Sequence, residues 1–331
     1  VIKVDSCQAQ FMDTTRTLNG PYPNNDPGEK YWERAGTFQT LNRGKYSLTL
    51  DLRSEAALDI VKHLVSVSDI VLENFTPRVM SRFGLDYANL RRVKPDLIMV
   101  SNTGYGHSGP WSSFGAMASA LEPTHGTGAF MGYMNDDVPK KMGNSYTDFL
   151  ATWTALTAIM AGLLRRSRTG QGMWIDLAMY QVGASFVGEG LLDYSYNGRR
   201  ARRIGNRHLS MAPHGCYACA GEDEWVVLAV RDDADWQAFR AALVSECPEV
   251  TDAKYDQVSG RFDNQDELDG IIKRWTGSRG QYHVMEELQA VGVPAGPVLN
   301  AKGLLSDPHF RSRHFFEDVV HQSVTGLGHR E

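Results

Sequence analysis

The chain is poor in cysteine, has no excess of basic residues, and contains no unbroken apolar run long enough to cross a bilayer. Four cysteines in 331 residues cannot build the disulfide framework of a small secreted domain, so a reducing, cytoplasmic compartment is expected. Lys and Arg number 34 against 39 Asp and Glu, a net charge of −5. That balance argues against a nucleic-acid partner but allows a local basic patch for a phosphorylated ligand. A membrane span needs roughly 18 apolar residues; the longest candidate, 149–164, is broken by Thr152, Thr154 and Thr157, so no membrane segment is expected. Internal repeats and low-complexity tracts are missing too. Val1-Ile2-Lys3-Val4-Asp5 reads as a strand already under way, with no signal peptide before it. The chain is therefore expected to start inside a fold.

What is present suits a globular protein. Apolar residues make up 42% and charged ones 22% of the chain, and the length suggests two domains at roughly 150 residues each. Ser47-Leu48-Thr49-Leu50-Asp51 reads as a strand, and Leu58, Val61, Leu64 and Val65 mark one face of a helix. Short buried strands follow at 70–72 and 97–100, with a helix over 87–93 between them. This alternation implies an α/β fold whose parallel sheet carries helices on its faces. Ligands of such sheets lie beyond the carboxyl ends of the strands, here Glu73-Asn74-Phe75 and Ser101-Asn102-Thr103-Gly104. Residues 109–147, rich in Gly, Ser, Thr, Pro and Asn, read as a loop or set of loops of functional length. A helix buried on most sides is expected from 149 to about 166, ended by Arg165-Arg166-Ser167-Arg168-Thr169-Gly170. The basic run Arg199, Arg200, Arg202, Arg203 and Arg207 reads as a linker. A strand over 224–230 and helices near 233–244, 264–274 and 279–290 then form a smaller α+β unit, closed by a turn-rich segment at 294–298. The expected organisation is a large domain over 1–198, a linker over 199–211, a small domain over 212–300, and a second linker returning to the large domain over 301–331.

Asp148 is the first candidate for chemistry. It stands at the N-cap or first turn of the 149–166 helix, where Asp is favoured and where backbone N–H groups and the helix dipole favour its ionised form. Two readings stay open on the residues alone: a helix cap, or a firmly held nucleophile. Gly104-Tyr105-Gly106-His107-Ser108-Gly109 has dinucleotide-fingerprint spacing, but Pro110 and Trp111 open no helix and Glu122 comes too early for the ribose acid. A Gly-rich turn beside a ligand is the reading kept. Cys216 and Cys219, three apart, would point to opposite faces of a strand and have no second pair, so no metal site is expected. His125, between Thr124 and Gly126, reads as a loop hydrogen-bonder rather than a base.

Several segments are distinctive in their order. They are Val1-Ile2-Lys3-Val4; Leu41-Asn42-Arg43-Gly44-Lys45-Tyr46-Ser47-Leu48 with Leu50-Asp51-Leu52; and Glu73-Asn74-Phe75-Thr76-Pro77. Arg82-Phe83-Gly84-Leu85, Thr103-Gly104-Tyr105-Gly106 with Gly109-Pro110, and Arg168-Thr169-Gly170-Gln171-Gly172 follow. Val293-Pro294-Ala295-Gly296-Pro297-Val298 and Asp307-Pro308-His309-Phe310 complete the set. Together, over nearly the whole length, they resemble class III CoA-transferases of the CaiB/BaiF type (the formyl-CoA transferase, carnitine CoA-transferase and methylacyl-CoA racemase group).

The resemblance implies a Rossmann-like large domain, a small domain, two linkers, and two subunits interlocked like chain links, as a homodimer or as a heteromer with a related subunit. It implies Asp148 as the nucleophile, since the family's aspartate lies just before the helix that ends in Arg-Thr-Gly-x-Gly. It also implies a relay through a mixed anhydride and an aspartyl-CoA thioester, which splits one hard exchange into easier steps. CoA contacts carry over to Arg16, Arg53 (for a family Lys), Asn74, Phe75, Arg82 and Phe83, with Gly104 and Tyr105 at the Gly-rich turn. No cofactor beyond the CoA thioester substrate is implied. The chain departs from the family at Ala116-Met117-Ala118-Ser119, where an acidic residue or a His-Asp pair is usual. Glu122, one turn later, is the substitute if that stretch is helical, although Pro123 interrupts it. The lid glycines of formyl-CoA transferase are replaced by 206–215, NRHLSMAPHG. Phe130-Met131-Gly132-Tyr133-Met134 and Trp111 favour a bulky or aromatic acyl group, such as a succinyl-CoA donor with an arylsuccinate-like acceptor. The alternatives are a 2-methylacyl-CoA racemase and a non-catalytic subunit of a heteromeric transferase.

Overall fold

A computed structural model describes residues 1–6, 8, 12–17, 20–134, 136–143, 146–320 and 329–330. It divides into two compact units, one holding Val1–Met131 and Pro139–Ala201, the other Gly132–Val138 and Arg202–Glu317.

In the first unit, β1 (Ile2–Asp5) pairs in parallel with β2 (Tyr46–Thr49) as a separate two-stranded sheet. The main sheet has three parallel strands in the order β3 (Ile70–Glu73), β4 (Ile98–Thr103) and β5 (Met173–Ala178). The parallel α/β arrangement matches the expectation, with two differences: β2 lies outside the main sheet, and β5 is its third member. On one face, α1 (Glu55–Ser66), α2 (Val79–Arg82) and α3 (Tyr87–Val93) close over a core of Val65, Leu85, Leu90, Leu97 and Met99. Asp86 caps α3 by accepting the Asn89 N–H at 3.2 Å. Residues 109–147 are not all loop. They hold α4 (Ala118–Thr124) and α5 (Thr127–Phe130), helices too short to show a period. Pro123 falls near the end of α4, where its missing N–H costs one bond rather than a helix.

Then comes α6 (Tyr146–Thr169), followed by β5, α7 (Met179–Ser185) and α8 (Gly188–Asn197). The buried positions of α6 are Thr147, Ala151, Ala155, Ile159 and Gly162, a 3.6-residue stripe of mostly small side chains. Ala155 and Ile159 pack on Val100 of β4, and Gly162 faces Ile98 and Met173. The expectation of burial on most sides is corrected: Phe149, Trp153, Leu156, Met160 and Leu164 form an opposite apolar stripe that is exposed, Trp153 at 69%. Apolar periodicity alone does not say whether a covering surface comes from the same chain. Averaged over a window, α6 is also long and apolar enough to cross a membrane by length and composition, because Ala, Gly and Thr count little against it.

The α6–β5 junction explains its two glycines. Gly170 sits at φ +70°, the left-handed region where a helix stops without Cβ strain. At Gly172 a Cβ would lie 2.1 Å from the Leu97 carbonyl oxygen, so only glycine lets the chain enter the sheet there. Arg166 ties this end to Asp69, just before β3, at 2.9 Å.

The second unit is an antiparallel sheet in the order β6 (His214–Ala218), β7 (Trp225–Ala229), β8 (Ala295–Val298). Its core includes Trp236 and Phe239 of α9 (Asp233–Leu243), Ile271 and Trp275 of α10 (Gln265–Thr276), and Val284 of α11 (Gln281–Ala290). Cys219 lies in that core, where burial pushes its thiol up to about 11. The turn-rich 294–298 segment is the edge strand β8, whose single neighbour β7 leaves Pro297 tolerable despite its missing N–H.

Candidate active site

The carboxyl ends of β3 and β4 bring four of the expected residues to one edge. Asn74 and Phe75 leave β3 directly, both exposed, with the Phe75 N–H donating to Glu73 Oε2 at 2.9 Å. Gly104 and Tyr105 leave β4. A Cβ at Gly104 would stand 2.2 Å from that of Ala116, so this glycine is required by packing. The Tyr105 ring meets Trp111 and Tyr180, each at 5.6 Å, and Phe114 at 6.3 Å. Phe114 and Tyr180 were not singled out from the sequence, since aromatics scattered over 75 positions carry no pattern. Arg82 ends α2 and is exposed, while Phe83 packs against the core beneath. A cavity of about 230 Å³, lined by Glu73, Arg78, Ser81, Ser101, His107 and Trp174 among others, opens at the same edge. Within it, Glu73 Oε1 and His107 Nε2 lie 3.9 Å apart, and neither has a hydrogen-bond partner among the described residues.

The expected cations differ in setting. Arg53 is exposed and grips Asp51 bidentately at 2.9 and 2.8 Å, which holds the Asp51 carboxyl down to about 2. Arg16 is buried: its guanidinium donates to Asp5 at 2.9 Å, to Glu33 at 3.2 Å and to the Trp32 carbonyl at 3.1 Å, over the Phe38 ring. Contact with a CoA phosphate would require it to give up these pairs.

Asp148 occupies the first turn of α6 and is exposed. With its C-terminal end fixed beside Asp69, at the start of β3, α6 runs antiparallel to the strands. Gly162 faces Ile98 at the start of β4, and from there back to Asp148 the helix climbs about 21 Å at 1.5 Å per residue, close to the roughly 20 Å that a six-residue strand such as β4 spans. The helix start, and Asp148 with it, therefore lies toward the carboxyl end of the strands, the end that bears Asn74 and Gly104.

That helix start is tied down by α4. Glu122, 2% exposed, accepts the Tyr146 N–H through Oε1 at 3.0 Å. His125, at the C-cap of α4 rather than in a loop, pairs its Nε2 with Thr147 Oγ1 and its Nδ1 with Thr127 Oγ1, both at 2.9 Å. Burial lowers the His125 pKa below the usual imidazole range. The stretch holding Glu122 is thus helical, and its Oε1 meets the backbone N–H two residues before Asp148. Thr147 was missed in the sequence, where nothing distinguishes it from other small polar residues of the loop.

Comparisons with known proteins identify the family. The model of "CoA-transferase family III" matches residues 1–329. The succinyl-CoA–D-citramalate CoA-transferase of Chloroflexus aurantiacus is 34% identical over 300 residues, 90% of this chain and 71% of that one. The succinate–glutarate CoA-transferase of Agrobacterium fabrum is 28% identical over 325 residues, 98% of this chain and 79% of that one. A crystal structure of a CaiB/BaiF family protein from Brucella suis superposes with a TM-score of 0.82 at 29% identity, over 96% of this chain and 81% of the other. The chain belongs to CoA-transferase family III and is an enzyme that transfers CoA.

Proposed function

We propose that this enzyme moves CoA from succinyl-CoA to a carboxylic acid through covalent relay on Asp148. The observation that carries the reading is an exposed carboxylate on a clamped helix start, at the carboxyl end of the strands where ligands of parallel sheets bind. The Asp148 carboxylate attacks the thioester carbonyl, the C–S bond breaks, and CoA leaves as thiolate. The thiolate then attacks the aspartyl carbonyl of the anhydride, expelling succinate and leaving an aspartyl-CoA thioester. The acceptor carboxylate repeats the exchange in reverse, takes CoA, and returns Asp148 as carboxylate, with no water consumed. Asn74 and Phe75 are proposed to line the pantetheine and adenine of CoA, Arg82 and Phe83 to grip its nucleotide, and Arg53 to meet its phosphates by exchanging its bidentate hold on Asp51 for them.

The succinyl donor is supported by relatives whose names specify it. For the acceptor, relatives named for citramalate, mesaconate and glutarate support a dicarboxylic frame, and the Tyr105–Trp111–Phe114–Tyr180 group supports a bulky or aromatic substituent on it. A racemase would need a second acid/base, and His125 spends both ring nitrogens on threonine hydroxyls. The exposed stripe of α6 supports a second subunit, a copy or a relative, covering that face. The acceptor reading is tested by incubating the enzyme with succinyl-CoA and either phenylsuccinate or glutarate and following acyl-CoA products by mass spectrometry. A higher kcat/KM for phenylsuccinate is expected. Preference for glutarate would overturn the acceptor, and transfer to neither would overturn the donor–acceptor pairing.

A further inference from the structure

Tyr146 and Thr147, the two residues directly before Asp148, are each held by a buried side chain of α4 that the transfer steps leave unused. Glu122 Oε1 takes the Tyr146 N–H, and the His125 ring bridges Thr147 and Thr127. The ring cannot turn aside. A Cβ at Gly183 of α7 would lie 2.2 Å from its Cδ2, so α7 closes against it with no space left over. Glu122 Oε2 is buried and has no partner among the described residues, a costly state for a carboxylate whose visible task is one backbone bond.

We propose that Glu122 and His125 are positioning residues of CoA transfer, acting through Tyr146 and Thr147 to aim the Asp148 carboxylate. This rests on the reading of Asp148 as nucleophile. Since near-attack geometry tolerates little error, a displacement of about 1 Å costs about a hundredfold in rate. Glutamine at 122 keeps an acceptor oxygen for the Tyr146 N–H, whereas alanine does not. At 125, glutamine places its amide near the Nε2 position that meets Thr147, whereas asparagine places it near Nδ1.

The test is the single-turnover rate of Asp148 acylation by succinyl-CoA, measured by quenching and peptide mass analysis beside kcat, KM and calorimetric CoA affinity. Glu122→Ala is expected to slow acylation about a hundredfold with CoA affinity within about twofold of wild type, and Glu122→Gln to recover to within about threefold. Should Glu122→Ala not fold, His125→Gln is expected to acylate at least about tenfold faster than His125→Asn. Unchanged acylation in Glu122→Ala, equal rates in the two His125 variants, or Glu122→Gln as slow as Glu122→Ala would each overturn the proposal, the last by making Glu122 a proton-transfer group. A wild-type enzyme that transfers CoA without label on Asp148 would instead overturn the nucleophile reading, and this proposal with it.

Discussion

Asp148 could be singled out from sequence because an Asp between a small polar loop and a long apolar helix has a physical address. The residues that hold it could not be read in the same way. Glu122 meets a backbone N–H 24 positions on, and a bond between two helix ends leaves no periodic trace. The buried His125 makes a prediction at this scale. Its folded pKa is lowered, so the unfolded chain binds the proton first as pH falls. The neutral ring is without penalty above the ordinary imidazole range, and stability drains away as pH drops below about 6.5. Thermal unfolding at pH 7.5 and 5.5 should show a larger loss for wild type than for His125→Gln. Equal losses would contradict the buried neutral ring. Carboxylates held low by their partners, such as Asp51 and Asp235, titrate in a more acidic window and do not mask the difference.

Elements were legible in proportion to their length and contrast. The helix of α1 and the strands β3, β4 and β7 follow from strong apolar patterns. The short helices α4 and α5 complete too few turns for a period to register, and β8 was hidden by Gly296 and Pro297, residues that an edge strand accepts. Strand β5 escaped because Met173-Trp174-Ile175-Asp176 follows the Gly-rich helix stop with no break of its own. That junction carries the clearest steric prediction. Gly172→Ala would drive a Cβ to 2.1 Å from the Leu97 carbonyl oxygen, and forced accommodation of this kind costs about 1–3 kcal/mol. Urea unfolding should show a lower midpoint with an unchanged slope; an unchanged midpoint would mean that the chain enters β5 with room to spare.

For the molecule as a whole, α6 joins the two aspects of the account. One stripe of small residues seats it on β4, its start presents Asp148, and its other stripe leaves Trp153 and Met160 exposed at 69% and 65%. A second subunit over that stripe predicts that Trp153→Glu with Met160→Glu shifts the light-scattering mass toward the monomer. An unchanged mass would place any interface elsewhere. Fold class and family order were visible in the sequence because they repeat across the chain, whereas the exposed stripe was not, since an apolar helix reads alike against its own chain or another. The central claim is chemical and is tested most directly by trapping. Wild-type enzyme incubated with succinyl-CoA and hydroxylamine, then digested, should carry a hydroxamate on Asp148, and Asp148→Asn should carry none and transfer no CoA. A hydroxamate on another residue, or active transfer with Asp148 unmodified, would contradict it.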